Sequence, residues 1–305
     1  MSHVLERCPG CESPAQRELC VTRDRHYGIQ GDYRVVQCET CELVFLNPMY
    51  EDSELALLYP EDYYAYQDCF RKPSRIEKFL KKLLRYEAGV KDPSFDRPGK
   101  VLDVGCGSGW FLARMRDQGW DTYGVEISET AAKLGSKKAG LCIFHGTFLK
   151  ANLPTEFFDY VRLNHSFEHM SRPIETLREI WRVLRPGGRV LIVVPNHASL
   201  NARIFGRYWW FLGVPVHPFN YSVKNLPGFL TRAGFEVKSV INNSTYPGIL
   251  GSLQIWLNRN NGRKSEEGFL ISAVPLKIVF HWVAKIFDRF GQGDVIELIA
   301  SKPLQ

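Results

Sequence analysis

Two groups of residues in this 305-residue chain have the types and spacing to do chemistry. The first is Asp103-Val-Gly105-Cys106-Gly107-Ser108-Gly109, which continues an apolar run from Lys100 that reads as a strand. Glycines at a strand-to-helix turn let the backbone approach a ligand closely, and the amides opening the next helix face it. Glu126 ends the next predicted strand, 21 residues after Gly105. A carboxylate there can accept hydrogen bonds from both hydroxyls of a ribose. Loop and carboxylate together point to a nucleoside-containing ligand far more specifically than either part alone. The second group is Cys8-Pro-Gly-Cys11 and Cys38-Glu-Thr-Cys41, separated by 26 residues. Two such pairs can set four thiolates tetrahedrally around one zinc. Four cysteines leave no open coordination position, so the metal reads as structural. Cys20, Cys69, Cys106 and Cys142 read as ordinary buried thiols.

The loop also discriminates between nucleoside ligands. A dinucleotide fingerprint carries a third glycine where this chain has Trp110. Asp103 stands two residues before the first glycine, and a carboxylate suits an ammonium group better than a pyrophosphate. Both features favour S-adenosylmethionine over a nicotinamide dinucleotide.

With these motifs the chain resembles the class I S-adenosylmethionine-dependent methyltransferases, in particular the bacterial subgroup with an N-terminal zinc ribbon. The resemblance runs through Cys38-Glu-Thr-Cys-Glu-Leu-Val-Phe-Leu-Asn-Pro48, the Tyr59–Tyr64 stretch, Val101–Gly109, Phe167-Glu-His169, Leu184-Arg-Pro-Gly-Gly188, Val194-Pro-Asn196 and His217. It implies an α/β fold: a doubly wound, mostly parallel, Rossmann-like sheet of seven strands, the last antiparallel, with a small zinc ribbon and helical lid insertions. It implies that Asp103, Gly105, Cys106, Gly107 and Gly109 hold the methionyl end, with Glu126 on the ribose and Ile127 against the adenine. Where the family often has Gly-Asp after the third strand, this chain has Gly146-Thr147-Phe148, so Thr147 and Phe148 take the adenine position. Asn164 and His165 would line the methyl side. Ubiquinone-pathway O-methyltransferases are similar here and carry an acidic Glu-His motif linked to a divalent metal. His165 replaces the first acid of that motif, so no catalytic metal is expected.

Methyl transfer is an in-line displacement, for which an enzyme orients the nucleophile and excludes water. A base is needed where the acceptor is poorly acidic, such as a sugar hydroxyl. His217 is the leading candidate, with Glu168 and His169 second. Tyr63, Tyr64 and Tyr66 could border the acceptor, as a tyrosine near this point does in the zinc-ribbon sugar C-methyltransferases that the N-terminus resembles. Ordinary packing of an aromatic helix is the preferred account of them.

The elements that must position these residues follow from pattern. Residues 1–47 read as the ribbon, 48–95 as a helical connector or lid, and 96–305 as the catalytic domain. From residue 100 strand and helix signals alternate, as a parallel α/β sheet requires. Two stretches, 197–220 and 244–292, break the alternation and read as lids or partner-binding elements. Within the second, Lys277, His281, Lys285 and Asp288-Arg289 share one predicted helical face.

The net charge is +6, and residues 71–85 alone hold seven basic side chains against Glu77. Ser74 and Glu77 can form a capping box, and Ile76, Phe79, Leu80, Leu83 and Leu84 fall on one face. This is a basic amphipathic helix suited to a solvated face, an anionic substrate or a membrane surface. The ribbon has five arginines, no lysine and seven acids, which disfavours nucleic acid. No apolar run reaches the ~18 residues of a membrane span, and the N-terminus lacks a secretory h-region. A cytoplasmic enzyme is expected, with a peripheral membrane contact as an option and the oligomeric state open. The expected acceptor is a small molecule or glycan methylated on oxygen. RNA base methylation and a non-catalytic cofactor-binding scaffold are the alternatives.

Overall fold

In the computed structural model each Cys-x-x-Cys pair closes the same turn. Residues 3–50, 54, 90, 92–260, 264–265 and 267–304 are described. The basic helix at 71–85, the tyrosine stretch at 59–66 and Cys69 lie outside them. In the first turn Cys8 N–H donates to Ser13 O (2.9 Å) and Glu12 N–H to Cys8 O (2.8 Å). In the second, Cys38 N–H donates to Leu43 O (2.9 Å) and Glu42 N–H to Cys38 O (3.0 Å). Both glutamates sit in the left-handed region, at φ 61° and 58°. The turns are joined by strands β1 (Gln16–Thr22), β2 (Tyr33–Cys38) and β3 (Val44–Leu46).

The main sheet is built from β4 (Lys100–Val104), β5 (Asp121–Glu126), β6 (Cys142–His145), β7 (Phe158–Asn164) and β8 (Leu184–Pro195). Helices α1 (Trp110–Asp117), α2 (Glu129–Ala139) and α3 (Pro173–Val183) connect them. All five strands are mutually parallel. Helices cover both faces, so β7 can be an almost unbroken buried run. Ser128 caps α2 by accepting from Ala131 N–H (3.3 Å), and Gly140 ends it in the left-handed conformation. Pro186-Gly187-Gly188, which reads as a turn before a strand at Arg189, lies instead within the first part of β8. Lys302 N–H donates to Gly188 O and Gly187 N–H to Lys302 O, both at 2.9 Å, so the chain's final segment holds it extended.

After β8 come α4 (Leu200–Phe205), the short strand β9 (Phe219–Asn220), α5 (Leu226–Arg232) and β10 (Glu236–Asn242). The 244–292 excursion forms α6 (Pro247–Asn258), α7 (Phe269–Ser272) and α8 (Val274–Arg289), before β11 (Val295–Ser301) closes the sheet. The order is β10-β11-β8-β7-β4-β5-β6, with β11 antiparallel to both neighbours. This is the expected Rossmann-like seven-stranded sheet.

β9 pairs with β3, so the ribbon sheet runs β1-β2-β3-β9 and its edge strand comes from the 197–220 excursion. The ribbon also shares its core with the catalytic sheet: Cys8, Val36, Leu43 and Phe45 belong to one buried cluster with Phe158, Leu163, Phe219 and Phe229. The excursion is pinned at the other end by Asp294. Its carboxylate accepts from Ser199 Oγ (2.8 Å), Trp209 Nε1 (2.9 Å) and Asn201 Nδ2 (2.5 Å).

Helix α8 has the predicted two faces, but the polar one turns inward. His281 is buried, Lys285 Nζ donates to Asn243 Oδ1, and Asp288 Oδ2 accepts from Ser244 N–H (2.8 Å). Val279, Trp282, Ile286 and Phe290 face solvent, Phe290 at 75% exposure. Among the described residues no helix is long and apolar enough to cross a membrane.

Candidate active site

The glycine turn leaves β4 and opens α1 at the carboxyl edge of the sheet, where open α/β sheets bind ligands. Gly105, Gly107 and Gly109 all have positive φ, from 55° to 82°. At Gly105 a Cβ would stand 2.6 Å from Ser166 Cβ, so the loop cannot move back to admit a side chain. Replacing Gly105 by valine is therefore expected to weaken S-adenosylmethionine binding by about tenfold to a hundredfold, through strain and encroachment. Calorimetry checks this on protein whose circular dichroism is unchanged; an unaltered affinity would take the turn out of the cofactor site.

Glu126 is buried at the end of β5, and its two oxygens accept from Gly107 N–H and Ser128 N–H, each at 2.8 Å. Burial pushes its carboxyl up, and these amides oppose that. Gly146 N–H donates to Glu126 O (2.9 Å), which brings Thr147 to the end of β5 beside Ile127. Thr147 and Ile127 are half-buried. Phe148 is buried in the main core, so its ring is not available to an adenine and only its backbone is. Cys106 likewise points its sulfur beneath the loop, against Gly124, and its amide donates to Val125 O (3.2 Å). Two polar atoms nearby are buried with no partner: Asn164 Oδ1 and Ser108 Oγ. A side-chain-free cradle, a buried carboxylate and an orphaned acceptor on the predicted methyl side together fit S-adenosylmethionine.

Asp103 does not stand free. Its Oδ1 accepts from Arg162 Nη1 (3.2 Å), and Arg162 also faces Asp92 (3.5 Å) and the ring of Phe111. Burial pushes the Asp103 carboxyl up and Arg162 opposes it. Sequence reading missed Arg162. The available signal was a lone arginine inside the apolar run Asp159-Tyr-Val-Arg162-Leu-Asn164, since a charge in a doubly covered strand requires a partner.

The three candidate base residues come together. One ligand-type atom each from Glu168, His169 and His217 lies within 4.8 Å of the others. The 197–220 excursion delivers His217, and a short turn after β7, Phe167–His169, delivers the other two. The rings of His169 and His217 meet edge to face, centroids 4.6 Å apart. His217 Nδ1 is 2.9 Å from Phe211 O. A carbonyl can only accept, so Nδ1 carries the proton and Nε2 the lone pair. Burial, reinforced by the neighbouring His169, pulls His217 down to about 3. His169 faces Val216 O through Nδ1 (2.6 Å) and is also hydrogen-bonded to His165 O, which makes it a brace. Glu168 accepts from His165 Nδ1 (3.3 Å) through Oε1, while Oε2 is buried without a partner. Burial would raise this carboxyl, but His165 and the imidazoles of His169 and His217 hold it below the ordinary glutamate value. His165 is stacked on Phe211 at 6.4 Å, linking the methyl side to the His217 loop. The trio is also of metal-ligand type and close enough to share one cation.

At the ribbon, the four sulfurs of Cys8, Cys11, Cys38 and Cys41 lie within 4.8 Å of one another, with Cys8–Cys41 at 3.6 Å and Cys11–Cys38 at 3.5 Å. Four thiolates at the usual bond length of about 2.3 Å from a tetrahedral zinc would sit about 3.8 Å apart. Hydrogen bonding from Cys8, stronger than the opposing effect of burial, pulls Cys41 down to about 5. The residues fit the metal.

Comparison with known proteins agrees. A family model described as "Methyltransferase domain" matches residues 71–240. The chain is 30% identical over 145 residues to a "Probable S-adenosylmethionine-dependent methyltransferase" of Mycolicibacterium smegmatis, covering 46% of this chain and 53% of that protein. It is 28% identical over 160 residues to a "Ubiquinone biosynthesis O-methyltransferase" of Pseudomonas aeruginosa, covering 48% and 69%. The match thus spans about half the length of the first relative. Among solved structures, an S-adenosylmethionine-dependent methyltransferase from Archaeoglobus fulgidus shares 23% identity at a TM-score of 0.48, covering 74% of this chain and 94% of that one.

Proposed function

The chain belongs to the class I S-adenosylmethionine-dependent methyltransferases, and from that premise we propose that it methylates a hydroxyl oxygen of a small-molecule or glycan-type acceptor. The observation that carries this reading is His217, whose Nδ1 proton is committed to Phe211 O and whose ring stands beside Glu168. A positioned base is of use to a hydroxyl nucleophile and superfluous for more acidic ones. Bound S-adenosylmethionine supplies a methyl carbon activated by its sulfonium. As the acceptor oxygen attacks that carbon and the carbon–sulfur bond breaks, His217 Nε2 takes the hydroxyl proton. Glu168 opposes the positive charge that forms on the imidazole through its nearby charge, while the Nδ1 hydrogen bond goes to Phe211 O. Asn164 and His165 orient the methyl side, and Phe211 excludes water above it. The similarity to a ubiquinone-biosynthesis O-methyltransferase supports a small acceptor. The test offers methyl-labelled S-adenosylmethionine with free sugars, phosphorylated sugars, phenols and RNA. Label on a sugar or phenol oxygen is expected; label on an RNA base would replace this reading. In the ribbon, the four cysteines are proposed to hold a structural zinc.

We further propose that the protein works at an anionic membrane surface, in contact through α8. The helix spends its polar face on Asn243 and Ser244 and leaves Val279, Trp282, Ile286 and Phe290 to solvent. Trp256 and Leu257 on α6 and Phe269 on α7, helices that contact α8, are exposed as well. Among the described residues, the exposed charges around them are Arg259, Lys264 and Arg289 against Glu267, which favours an anionic lipid surface over a neutral partner. Trp282→Glu with Phe290→Glu is expected to abolish flotation with phosphatidylserine vesicles and leave S-adenosylmethionine affinity unchanged. Undiminished flotation of that variant would contradict the assignment.

A further inference from the structure

Three arginines that methyl transfer does not use converge on one shallow, open recess. It lies between the loop after β1 and the 207–214 turn, and its lining includes Arg23, Arg25, His26, Arg207, Trp209 and Gly213. Gathering like charges costs free energy that a bound anion would offset. The neighbouring carboxylates do not supply it. Asp24 already accepts from the backbone N–H groups of His26, Tyr27 and Ile29 at 2.8–2.9 Å. Asp32 pairs with Arg23 at 2.7 Å, but both side chains are mostly exposed, and such pairs are weak and exchangeable. Among the described residues Arg25 and Arg207 have no carboxylate partner. Arg25 Nε is buried with no hydrogen-bond partner, and its guanidinium lies over the Tyr208 ring at 5.5 Å. Arg207 reaches only Val21 O, at 3.5 Å. His26 frames the site and is already engaged, with Ser265 Oγ and Trp210 O each at 2.8 Å.

We propose that this recess binds a phosphoryl group and anchors the phosphorylated end of the acceptor. Guanidinium forks match two phosphate oxygens at once. Its position links it to the chemistry. Gly213 forms part of the wall and accepts from His217 N–H (2.9 Å). A Cβ on Gly213 would fall 2.3 Å from His217 Nδ1, so a bare glycine backbone is all that separates recess and imidazole there. The recess thus lies on the Nδ1 side of His217, and the hydroxyl-bearing part of an acceptor held here by its phosphate reaches Nε2 by passing round the Gly213 backbone. The inference rests on the hydroxyl-methylation reading for the role of the anion, but not for its binding.

Calorimetry on the full chain tests it, with two probes: inorganic pyrophosphate and a soluble short-chain phosphatidic acid. The wild type is expected to bind at least one. Arg25→Met with Arg207→Met is expected to bind that probe roughly tenfold more weakly or worse, with S-adenosylmethionine affinity unchanged as the control for folding. Loss of pyrophosphate binding assigns a soluble phosphorylated acceptor; loss confined to phosphatidic acid assigns a lipid phosphate. Should the double variant also lose S-adenosylmethionine, Arg25→Lys decides, because it keeps the charge and removes the fork: weaker probe binding supports the site, and wild-type binding overturns it. A wild type that binds neither probe, or a folded double variant that binds as well as wild type, also overturns the proposal. No methyl transfer enters these readouts, so failure here leaves His217 untouched, and failure of hydroxyl methylation leaves the recess standing.

Discussion

Replacing His217 by alanine is expected to lower kcat by roughly 10²- to 10⁴-fold, the usual contribution of a positioned general base, with S-adenosylmethionine affinity unchanged. In the proposed role His217 acts on the acceptor, and its recorded neighbours are Phe211, His169 and Glu168 and not the glycine turn, so binding and chemistry should separate. Glu168→Gln should fall in the same direction, because it removes the charge that opposes the imidazolium while keeping the shape. The pH profile gives an independent reading. With His217 pulled down to about 3 by burial, its neutral, receptive form persists well below the ordinary histidine value of about 6.5. The acid limb of kcat/KM is therefore expected far below 6.5, set by loss of the fold before loss of the base. The sign for stability is opposite in sense. Between about 3 and 6.5 the unfolded chain binds a proton at this position that the folded chain refuses. His217 thus carries no penalty above 6.5 and lowers stability progressively as pH falls below it. An acid limb near 6.5, or a His217→Ala variant that keeps full kcat, would remove His217 from the base role.

Removing the zinc proposed for the ribbon is expected to destabilise the catalytic domain along with the ribbon. Ordinarily a small zinc module appended to an enzyme melts alone. Here β9 completes the ribbon sheet, and a Cβ on Gly10 would strike the ring of Phe229, 2.4 Å away. The thiolate cage, the ribbon strands and the main sheet thus share one core. Cys38→Ser leaves three thiolates in a buried site, and structural zinc is normally a folding requirement for such units. A loss of about 5 kcal/mol, roughly 10–20 °C in Tm for a domain of this size, is expected in a single transition. Differential scanning calorimetry on the metal-free protein checks it. Two separate transitions, with the catalytic one at its original temperature, would show that the shared core does not couple them.

How much of this was legible in sequence depended on how local the physics is. The two Cys-x-x-Cys turns, the Asp103–Gly109 turn and Glu126 were readable because each is decided within a few residues by thiol spacing or backbone freedom. Glu168, His169 and His217 were nameable as types, but their meeting depends on how the 197–220 excursion folds, which no short-range pattern encodes. β9 is two residues long and pairs across the chain with β3, below any periodicity signal. For α8 the pattern gave two faces correctly. It could not say which face turns in, because that choice was made by Asn243 and Ser244 on the far side of the contact. Asp103 was found by its motif, whereas its counter-ion Arg162 comes from a neighbouring strand. Phe148 was assigned to the adenine by position in the motif, and the core claimed its ring instead.

The most direct test is to follow label from methyl-labelled S-adenosylmethionine to a hydroxyl acceptor, in wild type and in His217→Ala at matched cofactor saturation. A methyl ether on the acceptor oxygen is expected from the wild type, with His217→Ala binding the cofactor equally and forming that ether at least about a hundredfold more slowly. Equal rates in the two proteins, or a wild type that fails to bind S-adenosylmethionine, would contradict hydroxyl methylation through His217.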